Sequence, residues 1–541
     1  MKKPLRKTAP HQVRSTARFS AVASASFALA LCVAVPATAY ADVRQDDRVA
    51  EKTVADRGLD DSQCPDIAAE RVYVVGQDGT VYFQRNDSDT APIASVTKVM
   101  TALVALENAP MDYTVTVSET AANIGESSAN LQAGDTMTLE DALKALMIPS
   151  GNDAAQAIAE SVGAQLADDP SNPENCTQAF VDAMNAKAVE LGMEDTLFTN
   201  PHGLDDEGFE SDQHSCSKDV SLMCAAAMKS EDFRAVVSGQ FNSCTVTRDG
   251  AQESIELEST DELIGTYDGT CGIKTGFTDA AGGCFAGANN RDGQDLYAIV
   301  LGSTDEETRF SDTTELWDWV YANTIEFPLG NSEKTVSDQA GKEVPLLAKV
   351  SCTSWIDKTV DATLADPEAT LELFTLKGDV TQTVDFETLE GTVNAGDKVG
   401  SVTYKQDGET LATLDLVAAQ TVEGPKWYES VAIWFKRLFG GITGEPSYAE
   451  SVQVIEETIS PLDALQPEKA GEEKADDTET KDGASKEDSP KADEDSDGKS
   501  QSKDSSDDPD AVDDDSSQND KDASASDSDS TSSENDTTTS S

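Results

Sequence analysis

The chain has 541 residues and a formal net charge of −62 at pH 7, because 102 aspartates and glutamates outnumber 40 lysines and arginines. A surface with that excess of negative charge repels phosphates, which excludes a function that depends on following a nucleic-acid backbone. Only two of the three histidines, His202 and His214, lie beyond residue 41, and the chain has no Cys-x-x-Cys pair. This scarcity of ligands argues against a zinc site, and we expect neither a metal nor a cofactor.

The first 41 residues have the three parts of a secretory signal peptide. Basic side chains come first without an acid, an apolar run follows over 19–35, and Ala39 and Ala41 supply the small residues of a cleavage site. The pattern predicts a signal peptide over 1–41 and places the mature chain outside the cytoplasm, in the cell envelope. A lipoprotein signal at Cys32 is the alternative, but a leucine precedes this cysteine where a small residue is expected.

Eight cysteines remain once 1–41 is removed. An even number of cysteines in an oxidising compartment predicts disulfides, although the sequence does not choose the pairing. We therefore expect these cysteines to be covalent staples of the folded part.

Alternating and helical patterns follow one another through the first folded part. Residues 71–86 alternate around a Gln-Asp-Gly turn and predict a β-hairpin. Behind Pro92 the apolar residues recur with the period of a helix, which predicts an amphipathic helix beginning near Ser95. Further helices are predicted at 138–148, 153–163 and 177–191, then three strands at 270–277, 282–289 and 295–303, then a helix at 314–324. This order predicts one domain over 60–327, a sheet covered by helices.

Beyond this domain the pattern changes to short strands separated by Gly and Asp turns, which predicts a small β domain over 333–421. The segment 425–443 then places aromatic and aliphatic side chains on one helical face and charged ones on the other. It is too short and too charged to span a bilayer, and we expect an amphipathic membrane-anchor helix in the interface. The alternative is a helix whose apolar stripe docks on the β domain. Residues 467–541 hold 26 acids and eight lysines, and we expect a disordered acidic tail.

The first candidate site is the pair Ser95 and Lys98. A serine at the start of a helix has an unpaired backbone N–H in the positive field of the helix dipole, and that N–H can bind a developing oxyanion. A lysine three residues on lies one turn later on the same face, and burial beside other cations lowers its pKa until it can act as a general base. Three other Ser-x-x-Lys strings occur, so a lysine that merely snorkels from a helix is the alternative.

Two further strings set this pair apart from the others. Ser150 and Asn152 lie on a turn between two predicted helices, a rigid position from which both side chains can point into a cleft. Lys274, Thr275 and Gly276 lie on a predicted strand, where a cation and a hydroxyl can bind a substrate carboxylate. The glycine lets another backbone approach closely. The functional prediction depends on these three strings occurring in this order.

In this order the three motifs resemble those of serine penicillin-binding proteins and class A β-lactamases. Five stretches within about 70–325 are similar to the low-molecular-mass D-alanyl-D-alanine carboxypeptidases: "ASVTKVMTA", "PSGNDAA", "FTNPHGLDDEG", "GIKTGFT" and "GSTDEETRFSDT". The resemblance implies an α/β (α+β) fold, with a β-lactamase/penicillin-binding transpeptidase-like catalytic domain and a small C-terminal β domain.

The same resemblance implies the chemistry of the site. Ser95 would attack the peptide bond between the last two D-alanines of a peptidoglycan stem peptide, and Lys98 would take its proton. Ser150 and Asn152 would relay protons and hold the substrate amide. Water would hydrolyse the acyl-enzyme, and β-lactams would acylate the same serine.

The resemblance also implies how the substrate is bound. Lys274 and Thr275 would bind the terminal carboxylate, with Gly276 and Phe277 completing the substrate-binding strand. The backbone N–H groups of Ser95 and Phe277 would form the oxyanion hole. The amphipathic helix would hold the enzyme at the outer face of the cytoplasmic membrane.

The sequence departs from the family at two places and leaves alternatives open. Phe277 stands where a histidine is frequent, and "SCSKDVSLM" (215–223) stands where the family has a Ser-Thr-Ala-like stretch. A class A β-lactamase is disfavoured because no Glu-x-x-Leu-Asn string follows Ser150. A D,D-endopeptidase that cuts cross-links and a catalytically inactive wall-binding protein are the two alternatives that stay open.

Overall fold

A computed structural model describes residues 44–206, 208–443 and 446–464. The predicted signal peptide and the predicted acidic tail lie outside the described residues. The described helices are α1 (Val54–Arg57), α2 (Lys98–Asn108), α3 (Glu119–Ala122), α4 (Leu139–Met147), α5 (Asn152–Gly163), α6 (Pro173–Leu191), α7 (Ser217–Ala227), α8 (Glu231–Val237), α9 (Thr308–Ala322), α10 (Trp427–Thr443) and α11 (Pro461–Ala464). The described strands are β1 (Arg48–Val49), β2 (Lys52–Thr53), β3 (Arg71–Gly76), β4 (Val81–Arg85), β5 (Thr114–Thr116), β6 (Thr136–Thr138), β7 (Ser243–Arg248), β8 (Ala251–Glu256), β9 (Thr270–Thr278), β10 (Gly282–Arg291), β11 (Gln294–Ser303), β12 (Thr324–Pro328), β13 (Thr335–Ser337), β14 (Glu343–Pro345), β15 (Ala348–Ser351), β16 (Thr359–Leu364), β17 (Thr370–Phe374), β18 (Val380–Phe386), β19 (Lys398–Gln406), β20 (Glu409–Ala418), β21 (Val452–Gln453) and β22 (Thr458–Ile459).

The first part of the chain is built on a seven-stranded sheet with the strand order β2-β1-β4-β3-β11-β10-β9. Neighbouring strands are antiparallel throughout. The predicted hairpin over 71–86 is the pair β3 and β4, and the three predicted later strands are β9, β10 and β11. Strand β9 lies at the edge of the sheet, so one row of its backbone N–H and C=O groups has no strand neighbour.

Helices cover both faces of this sheet. Tyr73 and Ile299 point into the larger core, which also contains side chains of α2, α4, α5, α6 and α7. Val72 and Val300, the neighbours of these residues, point to the opposite face and pack in a second core against α9. The predicted architecture of a sheet covered by helices, in the α+β class, is confirmed.

Helix α2 is buried on every side over most of its length. The prediction that this helix is amphipathic is therefore wrong. All residues from Lys98 to Ala105 are buried, because α2 runs through the middle of the helical layer and contacts α4, α5, α6 and α7. The predicted start near Ser95 is confirmed, although residues Ala94–Thr97 form a 3-10 turn that precedes the first α-helical residue. A helix surrounded in this way leaves a lysine on it without water.

The other predicted helices of this part are present. Helices α4 and α5 confirm the predictions over 138–148 and 153–163, and Thr138 caps α4 by accepting a backbone N–H. Helix α6 begins at Pro173, earlier than predicted, because Asn172 caps it and proline suits the first helical position. No prediction covers α7, α8 or the four-stranded sheet β5-β6-β7-β8.

The second folded part contains a seven-stranded sheet with the order β21-β15-β16-β20-β19-β18-β22. Short strands fill the predicted range 333–421, and two more strands lie beyond it. After helix α10 the chain returns, so that β21 pairs with β15 and β22 pairs with β18 at the other side of the sheet. The segment 452–459 therefore joins two otherwise unpaired edges, and Ile455 within it is buried in the core.

Helix α10 carries large apolar side chains that are exposed. Trp427 is 80% exposed and Trp434 is 59% exposed. The charged side of the helix contacts the β domain, since Arg437 donates hydrogen bonds to the backbone oxygens of Thr353 and Trp355. The alternative in which the apolar stripe docks on the β domain is therefore contradicted. Within the described ranges, every helix is too short or too polar to cross a bilayer.

The eight cysteines predicted to form disulfides are free thiols. Seven of them are buried, and Cys64 and Cys352 belong to different cores. The prediction of disulfides is wrong here, because the thiols pack as small apolar side chains.

Candidate active site

Ser95 lies where a strained turn enters helix α2. Ala94, just before it, has a φ of 47°, a left-handed conformation that residues with a side chain rarely adopt. Ser95 is partly exposed, whereas Val96 and Thr97 in the same turn are buried. The serine hydroxyl can therefore meet a substrate while the rest of the turn is fixed in the core.

Lys98 connects the serine to two other parts of the site. Its Nζ lies 2.8 Å from Ser95 Oγ, 2.6 Å from Asn152 Oδ1 and 2.8 Å from the backbone oxygen of His202. A neutral amine has two N–H donors and one lone pair. The oxygens of Asn152 and His202 accept the two N–H groups, so the lone pair faces the serine hydroxyl. This arrangement suits a base that takes the serine proton.

The surroundings of this amine favour its neutral state. Lys98 is 0% exposed, and burial lowers its pKa well below the ordinary value of a lysine. The nearby positive charge of Lys274 lowers the pKa further, and the negative charge of Asp153 opposes both effects. A snorkelling lysine would have its amine in water, and Lys98 does not.

Ser150 and Asn152 lie on the turn between α4 and α5. Ser150 has a φ of 63° and is 3% exposed, which marks a strained and buried backbone position. Asn152 joins Lys98 through Oδ1 and donates from Nδ2 to the backbone oxygen of Gly125 at 3.1 Å. The buried carboxylate of Asp153 accepts two backbone N–H groups from the loop that contains Gly125. The turn is thus held rigidly against its neighbouring loop.

Strand β9 approaches the serine turn through Gly276. A Cβ at this position would lie 2.9 Å from the backbone oxygen of Ile93 and 3.2 Å from the backbone nitrogen of Ser95. Contacts this short leave room only for a glycine. The close approach places the two preceding residues of β9 beside the serine.

Lys274 and Thr275 form the cationic side of the site. Lys274 is 1% exposed, and its pKa is lowered to about 7 by burial and then by the charge of Arg309, with Asp261 acting in the opposite direction. Its Nζ lies 3.0 Å from the backbone oxygen and 3.2 Å from Oγ1 of Thr275. An ammonium group and a hydroxyl at this spacing can bind one carboxylate together.

Phe277 follows Gly276 on β9 and pairs with Gly283 of β10. Its side chain is 43% exposed. The residue adds apolar surface next to the cationic side of the site and no titratable group.

Three residues of the site carry no prediction from the sequence. His202 offers its backbone oxygen to Lys98, and burial followed by the charge of Lys98 lowers the pKa of its ring to about 3, so the ring is neutral. Gly203 packs beneath Ala94, because a Cβ there would lie 1.9 Å from the oxygen of Ala94. Arg309 is 4% exposed and donates to the backbone oxygen of Gly276 at 3.0 Å. All three lie in the family-like strings "FTNPHGLDDEG" and "GSTDEETRFSDT", which were the only signal for them.

The structure thus brings most of the predicted site residues together. Hydrogen bonds join Ser95, Lys98 and Asn152, and close packing joins Gly276 to the same turn. Among the described side chains, Ser150 makes no hydrogen bond to this group. In the same part of the chain, no three His, Cys, Asp or Glu side chains form a group that could hold a metal ion.

Comparisons with known proteins agree along most of the folded chain. Residues 60–305 match a family model of D-alanyl-D-alanine carboxypeptidases, and residues 331–424 match a model of the C-terminal domain of penicillin-binding protein 5. The D-alanyl-D-alanine carboxypeptidase DacF of Bacillus subtilis (strain 168) is 28% identical over 366 residues, which cover 66% of this chain and 86% of that protein. A D-alanyl-D-alanine carboxypeptidase of Streptomyces sp. (strain K15) is 30% identical over 267 residues, which cover 48% of this chain and 89% of that protein. A D-alanyl-D-alanine endopeptidase of Pseudomonas aeruginosa is 28% identical over 254 residues, which cover 46% of this chain and 75% of that protein.

The first of these models includes Ser95, Asn152 and Lys274, and the second includes most strands of the small β sheet. The expected resemblance and the expected penicillin-binding fold are confirmed by these matches. The chain belongs to the D-alanyl-D-alanine carboxypeptidase family of serine peptidases, among the low-molecular-mass penicillin-binding proteins.

Proposed function

We propose that this chain removes the terminal D-alanine from the stem pentapeptides of peptidoglycan through an acyl-enzyme on Ser95. The observation that carries the proposal is the contact between Lys98 and Ser95, in which a buried amine with both donors occupied lies 2.8 Å from the hydroxyl. An amine held in this way takes the hydroxyl proton as the oxygen attacks a carbonyl carbon.

In the first half of the reaction the serine acquires the peptide. Ser95 Oγ bonds to the carbonyl carbon of the penultimate D-alanine while its proton passes to Lys98 Nζ. The oxyanion is stabilised by the backbone N–H groups of Ser95 and Phe277. When the intermediate collapses, the C–N bond breaks, the proton passes through Ser150 to the leaving nitrogen, and D-alanine departs.

In the second half water releases the shortened peptide. A water molecule gives a proton to Lys98 and attacks the ester carbon, the C–O bond to Ser95 breaks, and the serine oxygen regains a proton. Asn152 holds the substrate amide during both halves and keeps the Lys98 amine oriented toward the serine. The same steps up to the ester make Ser95 the target of β-lactams.

Substrate selection rests on the free carboxylate of the terminal D-alanine. Lys274 and Thr275 bind this carboxylate, and Gly276 allows the peptide-binding strand to lie against the serine turn. Phe277 supplies the second oxyanion N–H and leaves apolar surface beside the bound peptide. Peptides without the free carboxylate would lose the charge-assisted contact.

We infer that the mature enzyme works at the outer face of the cytoplasmic membrane. The sequence over 1–41 supports export, and the exposed tryptophans of α10 support binding in the membrane interface. Interfacial binding needs an apolar face turned away from the protein, and the contacts of Arg437 turn the charged face of α10 toward the β domain.

A D,D-endopeptidase that cuts cross-links is the second candidate, because the Pseudomonas aeruginosa relative bears that name. The two activities use the same residues and differ in the group that leaves. Incubation with a synthetic stem pentapeptide and with a cross-linked dimer separates them. The carboxypeptidase releases free D-alanine from the pentapeptide, whereas an endopeptidase converts only the dimer.

The test of the proposal is D-alanine release by the purified mature chain and by its Ser95→Ala variant. The wild type should release D-alanine and should be labelled by a fluorescent penicillin. The variant should do neither while keeping the melting temperature of the wild type. A wild type that is folded, unlabelled and inactive on both peptides would instead be the inactive wall-binding protein.

A further inference from the structure

Asp261 is a buried carboxyl in the loop between β8 and β9, and the mechanism above does not use it. The residue is 9% exposed, and its Oδ1 accepts the backbone N–H of Leu263 at 2.9 Å. Its Oδ2 is buried and has no hydrogen-bond partner of good geometry among the residues that the structure describes, although the backbone N–H of Ile264 also acts on this carboxyl. Buried polar atoms are rarely left unpaired, so this one requires a reason.

The loop around Asp261 links two parts of the active site. The backbone N–H of Thr260 donates to the oxygen of Ile148 at 3.1 Å, just before Ser150. The hydroxyl of Thr260 lies 2.6 Å from Oγ1 of Thr275. The carboxyl of Asp261 is therefore fixed behind the strand that binds the substrate carboxylate.

Asp261 and Lys274 line the same small cavity, which has a volume of about 20 Å³. Most of the other walls are apolar side chains from α8, β9 and the end of α4. Charges separated by apolar atoms attract strongly because little water screens them. Within the described chain no salt bridge involves Lys274, and the carboxyl that acts on its ammonium group is Asp261, which lines the same cavity.

The charged groups around this pair come from several elements, and one of them is the amine of Lys98 on α2, which lies near Lys274. The cations that face Asp261 are Lys274 on β9 and Arg309 on α9. Arg309 is itself paired with Glu306, and Glu262 acts on it as well. Asp261 is thus the carboxyl that acts on Lys274, whereas Arg309 has acidic neighbours of its own.

We propose that Asp261 is a positioning residue of the carboxypeptidase reaction: its carboxylate is the counter-ion that keeps the Lys274 ammonium charged and in place for the terminal carboxylate of the substrate. The proposal rests on the proposed function, because it assigns Asp261 a task in substrate binding by Lys274. No bond is made or broken by Asp261, and only the charge on Lys274 depends on it.

The pKa values of the two groups agree with this assignment. Burial raises the pKa of Asp261 to about 6, so the group is ionised over the range in which Lys274, with a pKa of about 7, loses its proton. Asp261 acts to raise the pKa of Lys274. Without that charge Lys274 loses its proton at a lower pH, and carboxylate binding fails earlier as the pH rises.

The test is the pH dependence of acylation by benzylpenicillin, which carries a carboxylate, in wild type and Asp261→Asn. The amide keeps the shape of the side chain and its bond to Leu263 and removes the charge. The rate of acylation should fall as the pH rises through the pKa of Lys274, and this alkaline limb of the pH profile should lie about one pH unit lower in the variant. The variant should then be acylated roughly tenfold more slowly than the wild type near pH 8.5 and less than about twofold more slowly near pH 6. Asp261→Ser is a smaller uncharged second variant with the same expected shift, should the amide prevent folding.

Two comparisons separate a charge effect from a structural one. Glu258→Gln removes an exposed acid from the same loop and should leave the limb where it is. Adding Lys274→Arg to the Asp261→Asn background supplies a cation that stays charged, and the alkaline limb should disappear. A variant profile lowered by one factor at every pH, or an unshifted limb, would overturn the proposal. Absence of acylation in the wild type would instead reject the proposed function.

Discussion

At the scale of single residues the site depends on the burial and the hydrogen-bond partners of Lys98. Lys98 is fully buried, has acceptors for two of its N–H groups and has a second cationic amine nearby, and these surroundings hold its pKa well below the ordinary value and favour a lone pair that faces the serine. An arginine in the same place would remain protonated and would have donors in every direction and no lone pair. The proposed proton transfer therefore requires a lysine at position 98, and a side chain that stays charged would not replace it.

Lys98→Arg is expected to lower the rate of labelling by fluorescent penicillin by about 10²- to 10⁴-fold, the usual contribution of a general base. Lys144→Arg is the matched control, because Lys144 is also largely buried but forms its ion pairs with acids of its own helix and packs its amine on the ring of Phe241. The control should label at the rate of the wild type. Equal rates for both variants would show that position 98 does not act as the base.

His202 should make the folded protein sensitive to acid. The pKa of its ring falls from 6.5 in the unfolded chain to about 3 in the fold, so its contribution to stability is present above pH 6.5 and is lost as the pH falls through 3. His202→Asn keeps an acceptor for the N–H of Leu204 and has no titrating ring. Urea unfolding at pH 7 and pH 5 should show a loss of free energy that is about 2 kcal/mol larger in the wild type than in the variant. Equal losses would mean that the ring is protonated in the fold.

At the scale of elements the local patterns explain which parts could be predicted. Strands β9, β10 and β11 are nine or ten residues long and are buried along most of their length, so each could be recognised as a continuous run next to turn residues. Strands β21 and β22 have two residues each and have no period, so nothing local indicated that the chain returns after α10. Helix α2 was predicted to be amphipathic because its period is helical, but only tertiary packing buries its polar side.

The same distinction applies to the site. Ser95, Lys98, Asn152 and Lys274 could be predicted because their side chains form short motifs with fixed spacing. The backbone oxygen of His202 could not, because a backbone atom is the same at every residue. Contacts of that kind exist only after the loops have folded.

The returning segment is expected to be part of the fold of the β domain. Ile455 is 6% exposed and packs in the core between β21 and β22, whereas Val452 on the same segment is 53% exposed. Ile455→Ala should lower the free energy of unfolding by about 2–4 kcal/mol, and Val452→Ala by less than about 0.5 kcal/mol. Chemical denaturation of both variants measures this difference. Similar small losses would show that the segment only rests on the surface.

At the scale of the whole molecule the proposed membrane attachment would bring a strongly acidic chain to an anionic surface. The net charge of −62 opposes that contact, so we expect the attachment to depend on apolar burial by α10. Trp434→Glu should abolish most of the sedimentation of the mature chain with phosphatidylglycerol vesicles. Val189→Glu, which changes another exposed apolar residue outside α10, should leave sedimentation unchanged. Equal sedimentation of both variants would show that α10 does not attach the chain to the vesicles.

The central claim is that Ser95, activated by the neutral amine of Lys98, forms a covalent acyl-enzyme. The most direct measurement is the intact mass of the mature chain after brief exposure to benzylpenicillin, followed by mapping of the modified peptide. We expect a single adduct of one penicillin on Ser95, with none on Ser95→Ala and a strongly slowed adduct on Lys98→Arg. An adduct on another residue, or an unmodified wild type that is folded, would contradict it.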